Sequence, residues 1–230
     1  FFSFLIIFVK KIMKYIFSFF FLFSISVSAQ SINEIDVNGN KQGEWKKSYE
    51  NGSLRYTGSF KDNNAIGIFY YYYKTGELKL EKEFFHNGIA AATYIFYKNG
   101  TLKASGLYVN ELKDSTWNYF NNDSILILSE IYSNGRLDGS VKTYYDEGAL
   151  YELKNYTNDV LNGVWKQFFI NGNLKLQGLY NNGKRDGKQI YYFPDGKIYS
   201  SGLYKDDSKY GEWIYYKDQG LQDTIINYNE

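Results

Sequence analysis

A period of 24 residues runs through most of this chain and restricts what it can fold into. Eight units follow one another without insertion or deletion, and each opens on a small residue. Counting from that residue, position +9 is Gly or Ser, position +11 is Leu in units 1–6, and position +17 is always Phe or Tyr. Four columns that stay in phase over this length predict a repeat architecture. The opening residues of units 1–8 are Gly43, Gly67, Ala91, Ser115, Gly139, Gly163, Gly187 and Gly211.

Each unit has the pattern of a β-hairpin, and unit 6 is the clearest example. Strand A covers residues 164–169, and strand B covers residues 174–180. Between them, Asn171-Gly172 predicts a tight turn with positive φ at both central residues. A second turn rich in Asn, Asp and Gly leads to the next unit, and no window has a helical period. We therefore expect an all-β protein, an elongated antiparallel meander of stacked β-hairpins.

Strand alternation distributes the columns between the two faces of this sheet. Positions +11, +13, +15 and +17 share one face, and position +15 is glycine in four units. A missing side chain there leaves room for a large neighbour, and the aromatic column at position +2 is the expected one. We predict this column as repeat core rather than as an exposed sugar-binding strip. Its tryptophans are Trp45, Trp117, Trp165 and Trp213, accompanied by Phe69.

The columns together resemble a known repeat. Gly-x-Trp-x-x-Tyr/Phe, then Asn-Gly-x-Leu, then Gly-x-Tyr-x-Asn-Gly is similar to the bacterial variant of the MORN repeat (membrane occupation and recognition nexus), most clearly from Gly163 to Gly183. The resemblance covers residues 37–230. It implies a single-sheet array of hairpins that serves as a scaffold or binding surface, and some bacterial members are antitoxins of toxin–antitoxin systems. Ala91, Ser115, Ser124 and Lys82 depart from the glycine columns, which predicts irregularity in units 2–4.

The start of the chain has the pattern of a secretory signal. Three lysines precede an apolar run over residues 15–23, and Val27-Ser28-Ala29 supplies a small-residue cleavage motif. We expect cleavage near Ala29 and export to the periplasm, the outer surface or the medium, with no integral membrane span in the mature chain. The predicted segments are 1–12 (translated upstream sequence), 13–29 (signal peptide), 30–42 (half repeat or cap) and 43–230 (eight units, the last truncated).

The composition argues against an enzyme. The chain has no Cys and a single His, and its formal net charge of +1 gives no basic excess for nucleic acid. His86 has no evident nucleophile or carboxylate partner, so we interpret it as a turn residue. Asp114, Asp138 and Asp186 precede opening residues and fit turn chemistry better than a ladder of calcium ligands. Glu44 and Glu212 have no cleft to share. We predict no catalytic residue, no cofactor and no metal.

The face opposite the tryptophan column departs from the repeat in two places. Positions +1 and +3 include Glu44, Lys46 and Lys166 in units 1 and 6. Positions +1, +3 and +5 are apolar or aromatic in units 2–3, and they include Ile190, Tyr192, Ile214 and Tyr216 in units 7–8. Such residues either contact a protein partner, another copy or a glycan, or are buried when the sheet curls over them. The predicted contact residues are Ile68, Tyr70, Tyr72, Tyr94, Phe96, Ile190, Tyr192, Ile214 and Tyr216.

These observations predict a non-enzymatic, exported scaffold that binds a protein or an envelope component through its extended sheet. The first alternative is an antitoxin or immunity protein that neutralises a partner toxin. The second is a surface module that binds glycans through exposed aromatic residues. A homo-oligomer is compatible with each of these functions.

Overall fold

The computed structural model describes residues 31–218 and 220–228, so the predicted upstream segment 1–12 and signal peptide 13–29 lie outside the described residues. The repeat array lies in the compact unit Asn33–Glu230. Within the described residues all regular structure is β-strand, and the strands pair antiparallel in chain order. The predicted all-β meander of stacked hairpins is confirmed.

One sheet contains 19 strands. In units 6 and 7 strand A is divided into two pieces, and both pieces pair with the strand before them. The strands are β1 (Glu34–Ile35), β2 (Lys41–Ser48), β3 (Leu54–Lys61), β4 (Asn64–Tyr72), β5 (Leu78–Phe85), β6 (Ala90–Phe96), β7 (Leu102–Val109), β8 (Leu112–Phe120), β9 (Leu126–Ser133), β10 (Arg136–Tyr144), β11 (Leu150–Thr157), β12 (Val160–Leu161), β13 (Gly163–Phe168), β14 (Leu174–Asn181), β15 (Lys184–Arg185), β16 (Gly187–Tyr192), β17 (Ile198–Lys205), β18 (Ser208–Tyr216) and β19 (Gln222–Asn227).

The two turns of a unit have different geometries. In the first turn of unit 6, the Gly172 N–H donates to the Phe169 carbonyl (2.9 Å), and only Gly172 has a positive φ, of 85°. In the second turn both Asn182 (φ 48°) and Gly183 (φ 84°) are left-handed, as a two-residue type I′ turn requires. The prediction of two positive φ values at Asn171-Gly172 is wrong. The loop there is longer and needs only one left-handed residue, which glycine supplies.

The opening residue of a unit lies in a β-bulge, where strand A meets strand B of the preceding unit. Gly58 of β3 lies opposite three residues of β4, residues 67–69. The first of them, Gly67, has a φ of 65°, which glycine adopts without steric cost. The register also shifts where β8, β10 and β18 pair with the strands before them. The bulge bends strand A at the start of the unit.

Unit 3 lacks this bulge. Six residue pairs join β5 to β6 without a register shift, and Ala91, which has a β-carbon, stays in extended conformation. Residues 86–89 form a four-residue loop before β6, whereas only two residues separate the paired ends of β3 and β4. The predicted irregularity is therefore confirmed at Ala91. Ser115 (φ 57°) and Ser124 (φ 62°) keep the regular geometry because both adopt the left-handed conformation.

One face of the sheet is covered by its own side chains, and we call it the closed face. It carries positions +2, +13, +15 and +17. Among its aromatic residues, Phe69 is 2% exposed, Trp117 1% and Trp213 0%. Trp45 and Trp165 are half-buried. The predicted core column thus contains both fully and partly buried members.

Glycine at position +15 explains this difference. A β-carbon on Gly58 would lie 2.3 Å from the ring of Phe69 in the next unit, so the ring fits only because the side chain is absent. Trp45 belongs to unit 1 and has no preceding unit. For Trp165, position +15 of the preceding unit is Lys154 instead of glycine. The Trp165 Nε1–H donates to Glu152 Oε1 at 2.8 Å. The glycine column and the aromatic column therefore fit together between neighbouring units.

Neighbouring units are also joined at their first turns. The Tyr49 hydroxyl donates to the Tyr72 carbonyl (2.8 Å), and the Tyr73 hydroxyl donates to the Phe96 carbonyl (2.9 Å). Each bond runs from position +6 of one unit to position +5 of the next. It therefore fixes the end of strand A, which carries residues of the opposite face.

Candidate binding surface

The face opposite the closed face is open to solvent, and we call it the open face. It carries positions +1, +3 and +5 of strand A and positions +14 and +16 of strand B. All nine predicted contact residues lie on it. Ile68 and Tyr94 are each 41% exposed, and the other seven are half-buried. Ile68 and Tyr94 are therefore not buried by the sheet curling over them.

In units 2 and 3 the sheet register places aromatic and acidic side chains next to each other. Tyr70 pairs with Glu81, and Glu81 pairs with Tyr94. In the adjacent row Ile68 pairs with Glu83. Directly opposed residues on one face have β-carbons about 4.5–5.5 Å apart, so Glu81 lies between two tyrosines. We name Ile68, Tyr70, Glu81, Glu83 and Tyr94 the tyrosine–glutamate patch.

In units 7 and 8 the central row of the corresponding surface carries no charge. Ile190 pairs with Ser201, Ser201 with Ile214, and Ile214 with Ile225. In the adjacent row Leu203 is 44% exposed, and Ile225 at the end of the central row is 48% exposed. We name Ile190, Ile214, Leu203 and Ile225 the isoleucine patch.

Sequence reasoning missed the strand B contributions to both patches. It considered the open face only along strand A and so omitted Glu81, Glu83, Leu203 and Ile225. The signal was present, because the alternation that assigns positions +13, +15 and +17 to one face assigns +14 and +16 to the other. Their inclusion gives the two patches different chemistry, one acidic and aromatic, the other uncharged.

Four of the predicted contact residues belong to a column that most units share. Tyr72, Phe96, Tyr192 and Tyr216 occupy position +5, and this position is also aromatic in units 4–6. The column is half-buried in every one of these units. Its residues therefore contribute to the framework of the sheet. The members that distinguish units 2–3 and 7–8 are Ile68, Tyr70, Tyr94, Ile190 and Ile214.

Three depressions in the described part of the chain are shallow. They hold about 130 Å³ beside Val164 and Ile190, 230 Å³ beside Tyr199 and 240 Å³ beside Asn87. Sites for small organic ligands usually enclose about 300–1,000 Å³. Each of these three depressions is smaller than such a site.

The residues considered for chemistry are spread along the array. His86 has a left-handed φ of 52° in the loop before β6, and its ring meets the edge of the Phe85 ring at 5.5 Å. Asp114 Oδ2 accepts the Asn134 N–H at 3.3 Å across a turn. Glu44 and Glu212 are exposed in β2 and β18, the first and last strand A of the array.

Within residues 31–218 and 220–228, no group of three or more His, Asp or Glu side chains is placed to hold a metal ion. In that same part of the chain there is no helix of the length and hydrophobicity needed to cross a membrane.

Comparison with known families agrees with the repeat geometry. The profile of the MORN repeat variant matches residues 41–62, 137–158, 161–182 and 185–206, in units 1, 5, 6 and 7. Each match begins two residues before the opening glycine, on strand A, and ends in the second turn. No curated protein matches the chain. MORN repeats generally act as binding or scaffold modules, and units 1, 5, 6 and 7 of this chain are similar to the MORN repeat variant.

Proposed function

We propose that this chain is a non-enzymatic scaffold that binds a protein partner through the open face of its sheet. One observation supports this most directly: the closed face is covered by its own rings, whereas Ile68, Tyr94 and Leu203 on the open face are more than a third exposed. Exposed apolar groups that cluster on one surface are typical of interaction sites. The closed face is accounted for by the packing of the units, so the open face is left for recognition.

We further propose that the protein acts outside the cytoplasm. The support is the sequence pattern of residues 13–29, with basic residues, an apolar run and a small-residue motif that ends at Ala29. N-terminal sequencing of the protein recovered from separated cell fractions tests this. A mature chain that starts at Gln30 outside the cytoplasm is the expected result, and an uncleaved cytoplasmic chain would contradict it.

Affinity purification of the tagged full-length chain from the cells that produce it, followed by mass spectrometry, tests the binding surface. The test variants carry Tyr70→Glu with Tyr94→Glu, or Ile190→Glu with Ile214→Glu. The control carries Thr116→Glu with Asn118→Glu, at positions +1 and +3 of unit 4 on the same face. We expect at least one test variant to lose the captured protein while the control retains it.

Equal recovery with all three folded variants would show that the open face is not the contact surface. Two other outcomes would replace the proposed partner. Capture of envelope polysaccharide with quenching of aromatic fluorescence would assign a glycan-binding module. Capture of one toxin in a tight one-to-one complex would assign an immunity protein.

A further inference from the structure

We propose that the tyrosine–glutamate patch docks a basic polypeptide segment, with an arginine side chain seated over Glu81 between the rings of Tyr70 and Tyr94. The inference rests on the proposed function and names the class of partner for units 2 and 3. It depends on one juxtaposition, the row Tyr70–Glu81–Tyr94 on three neighbouring strands.

The carboxylates of the patch are not neutralised by the described part of the chain. Glu81 and Glu83 are two residues apart on β5, so they share the open face at a spacing of about 6.8 Å. Within residues 31–218 and 220–228 neither carboxylate has a hydrogen bond or an ion pair. A pair of unpaired carboxylates on an apolar and aromatic surface favours a cationic partner.

The nearest lysines of these strands are engaged elsewhere. Lys79 lies at the register shift between β4 and β5, and its Nζ is 5.7 Å from the ring of Tyr73 at the first-turn edge. Lys103 Nζ likewise lies 5.4 Å from the ring of Tyr97. Lys82 points to the closed face. These contacts direct the basic groups away from the row that contains Glu81, which leaves the negative charge in the middle of the patch.

The tyrosines supply the second half of the recognition. Tyr70 and Tyr94 flank Glu81 from both sides, and among the described residues neither hydroxyl has a hydrogen-bond partner. A guanidinium group can stack on an aromatic ring and at the same time donate two hydrogen bonds to a carboxylate. Lysine can satisfy the charge but not this planar, forked arrangement. We therefore expect a preference for arginine.

The closed face already uses the same chemistry inside the protein. Lys113 Nζ lies 4.9 Å from the Trp117 ring and 4.8 Å from the Tyr132 ring. The Arg185 guanidinium lies 4.3 Å from the Tyr204 ring. Cations thus pack against the aromatic columns of this repeat at distances that make the interaction favourable. The tyrosine–glutamate patch offers aromatic rings and a carboxylate without an internal cation.

The isoleucine patch does not share this chemistry. The row Ile190–Ser201–Ile214–Ile225 carries no charge. The basic segment is therefore assigned to units 2 and 3 alone, and units 7 and 8 serve as an internal comparison on the same face.

Titration of the full-length chain with fluorescently labelled nona-arginine, nona-lysine and nona-glutamate peptides tests the proposal by anisotropy. We expect nona-arginine to bind more tightly than nona-lysine, and nona-glutamate not to bind. Glu81→Gln with Glu83→Gln should weaken nona-arginine binding about tenfold or more, because two charge-assisted contacts are lost. Tyr70→Leu with Tyr94→Leu should weaken it about fivefold while keeping the surface apolar.

The matched control is Glu44→Gln with Glu212→Gln. It also removes two negative charges, but from exposed sites on the same face in units 1 and 8. We expect it to change nona-arginine affinity less than twofold. Equal weakening in the control would overturn the proposal, because net charge would then explain the binding. Absence of nona-arginine binding would also overturn it. If the captured native partner is nevertheless lost in the Tyr70→Glu, Tyr94→Glu variant, the proposed scaffold function stands and only the basic docking segment fails.

Discussion

The indole ring of Trp213 lies against Gly202 of the preceding unit, so close that a β-carbon on Gly202 would be 2.4 Å from Cδ2 of the ring. Trp213 is fully buried, and its Nε1–H donates to the Leu203 carbonyl at 2.9 Å. The Trp213 ring thus packs unit 8 against unit 7, and it fits there only because Gly202 has no side chain.

Gly202→Val should therefore destabilise the end of the array, because the new side chain and the indole cannot occupy the same space. We expect a loss of about 3 kcal/mol in the free energy of unfolding, measured by urea denaturation with tryptophan fluorescence. The control is Ser201→Val, one residue earlier and on the open face, which should change the stability by less than about 0.5 kcal/mol. Similar losses in both variants would contradict this account of the packing.

The two classes of tryptophan should respond differently to truncation. Trp213→Ala removes a fully buried ring and should cost about 3–5 kcal/mol. Trp165→Ala removes a half-buried ring and should cost less, even though Glu152 loses one hydrogen-bond donor. Urea denaturation of both variants measures the difference. An equal cost would mean that the partial exposure of Trp165 has no energetic consequence.

Glycine should have opposite effects at two opening positions. Ser115 has a left-handed φ of 57°, so Ser115→Gly relieves strain and should stabilise the protein by up to about 1 kcal/mol. Ala91 is 3% exposed in an unbulged strand, so Ala91→Gly should destabilise it by about 1 kcal/mol. Thermal unfolding of the two variants gives the comparison, and the same sign for both would contradict it.

The tyrosine bonds between units can be tested by removing one hydroxyl. Tyr73→Phe deletes the donor to the Phe96 carbonyl and should cost about 1 kcal/mol. Tyr70→Phe is the control, because the Tyr70 hydroxyl has no partner among the described residues, and it should be nearly neutral. Denaturation midpoints of the two variants provide the measurement, and equal midpoints would show that the bond adds no net stability.

The joint between units 5 and 6 should weaken in acid. Burial raises the pKa of Glu152, but bonds from Lys154, Gln167 and Trp165 outweigh it and hold the pKa below its usual 4.5. Because the folded pKa is the lower one, the ionised carboxylate contributes in full above about pH 4.5 and loses that contribution as pH falls through the folded value. We expect Glu152→Gln to be less stable than wild type near neutral pH, and the difference to shrink below pH 4.5. A difference that stays constant with pH would exclude this role of the carboxylate.

Much of the fold follows from the spacing of residues, and the turn types do not. The glycine at position +15 and the large ring at position +2 are complementary in size, so their contact is readable once strand alternation is assumed. Periodicity alone does not predict that the ring belongs to the following unit, because it does not determine which unit contributes the ring. Asn171-Gly172 failed as a predictor because its geometry depends on the length of the loop between paired residues. The acidic character of the tyrosine–glutamate patch required the sheet register, which places Glu81 between two tyrosines.

The exchange of a bulge for a longer loop in unit 3 has a consequence for how such a chain can change in length. Both solutions use 24 residues per unit, since the residues absent from the strand are present in residues 86–89. If one whole unit is duplicated or deleted, the side chains of all the remaining strands therefore stay on the same faces of the sheet. Evolution can lengthen or shorten the array in steps of one hairpin, and can alter the backbone of a single unit without disturbing the rest.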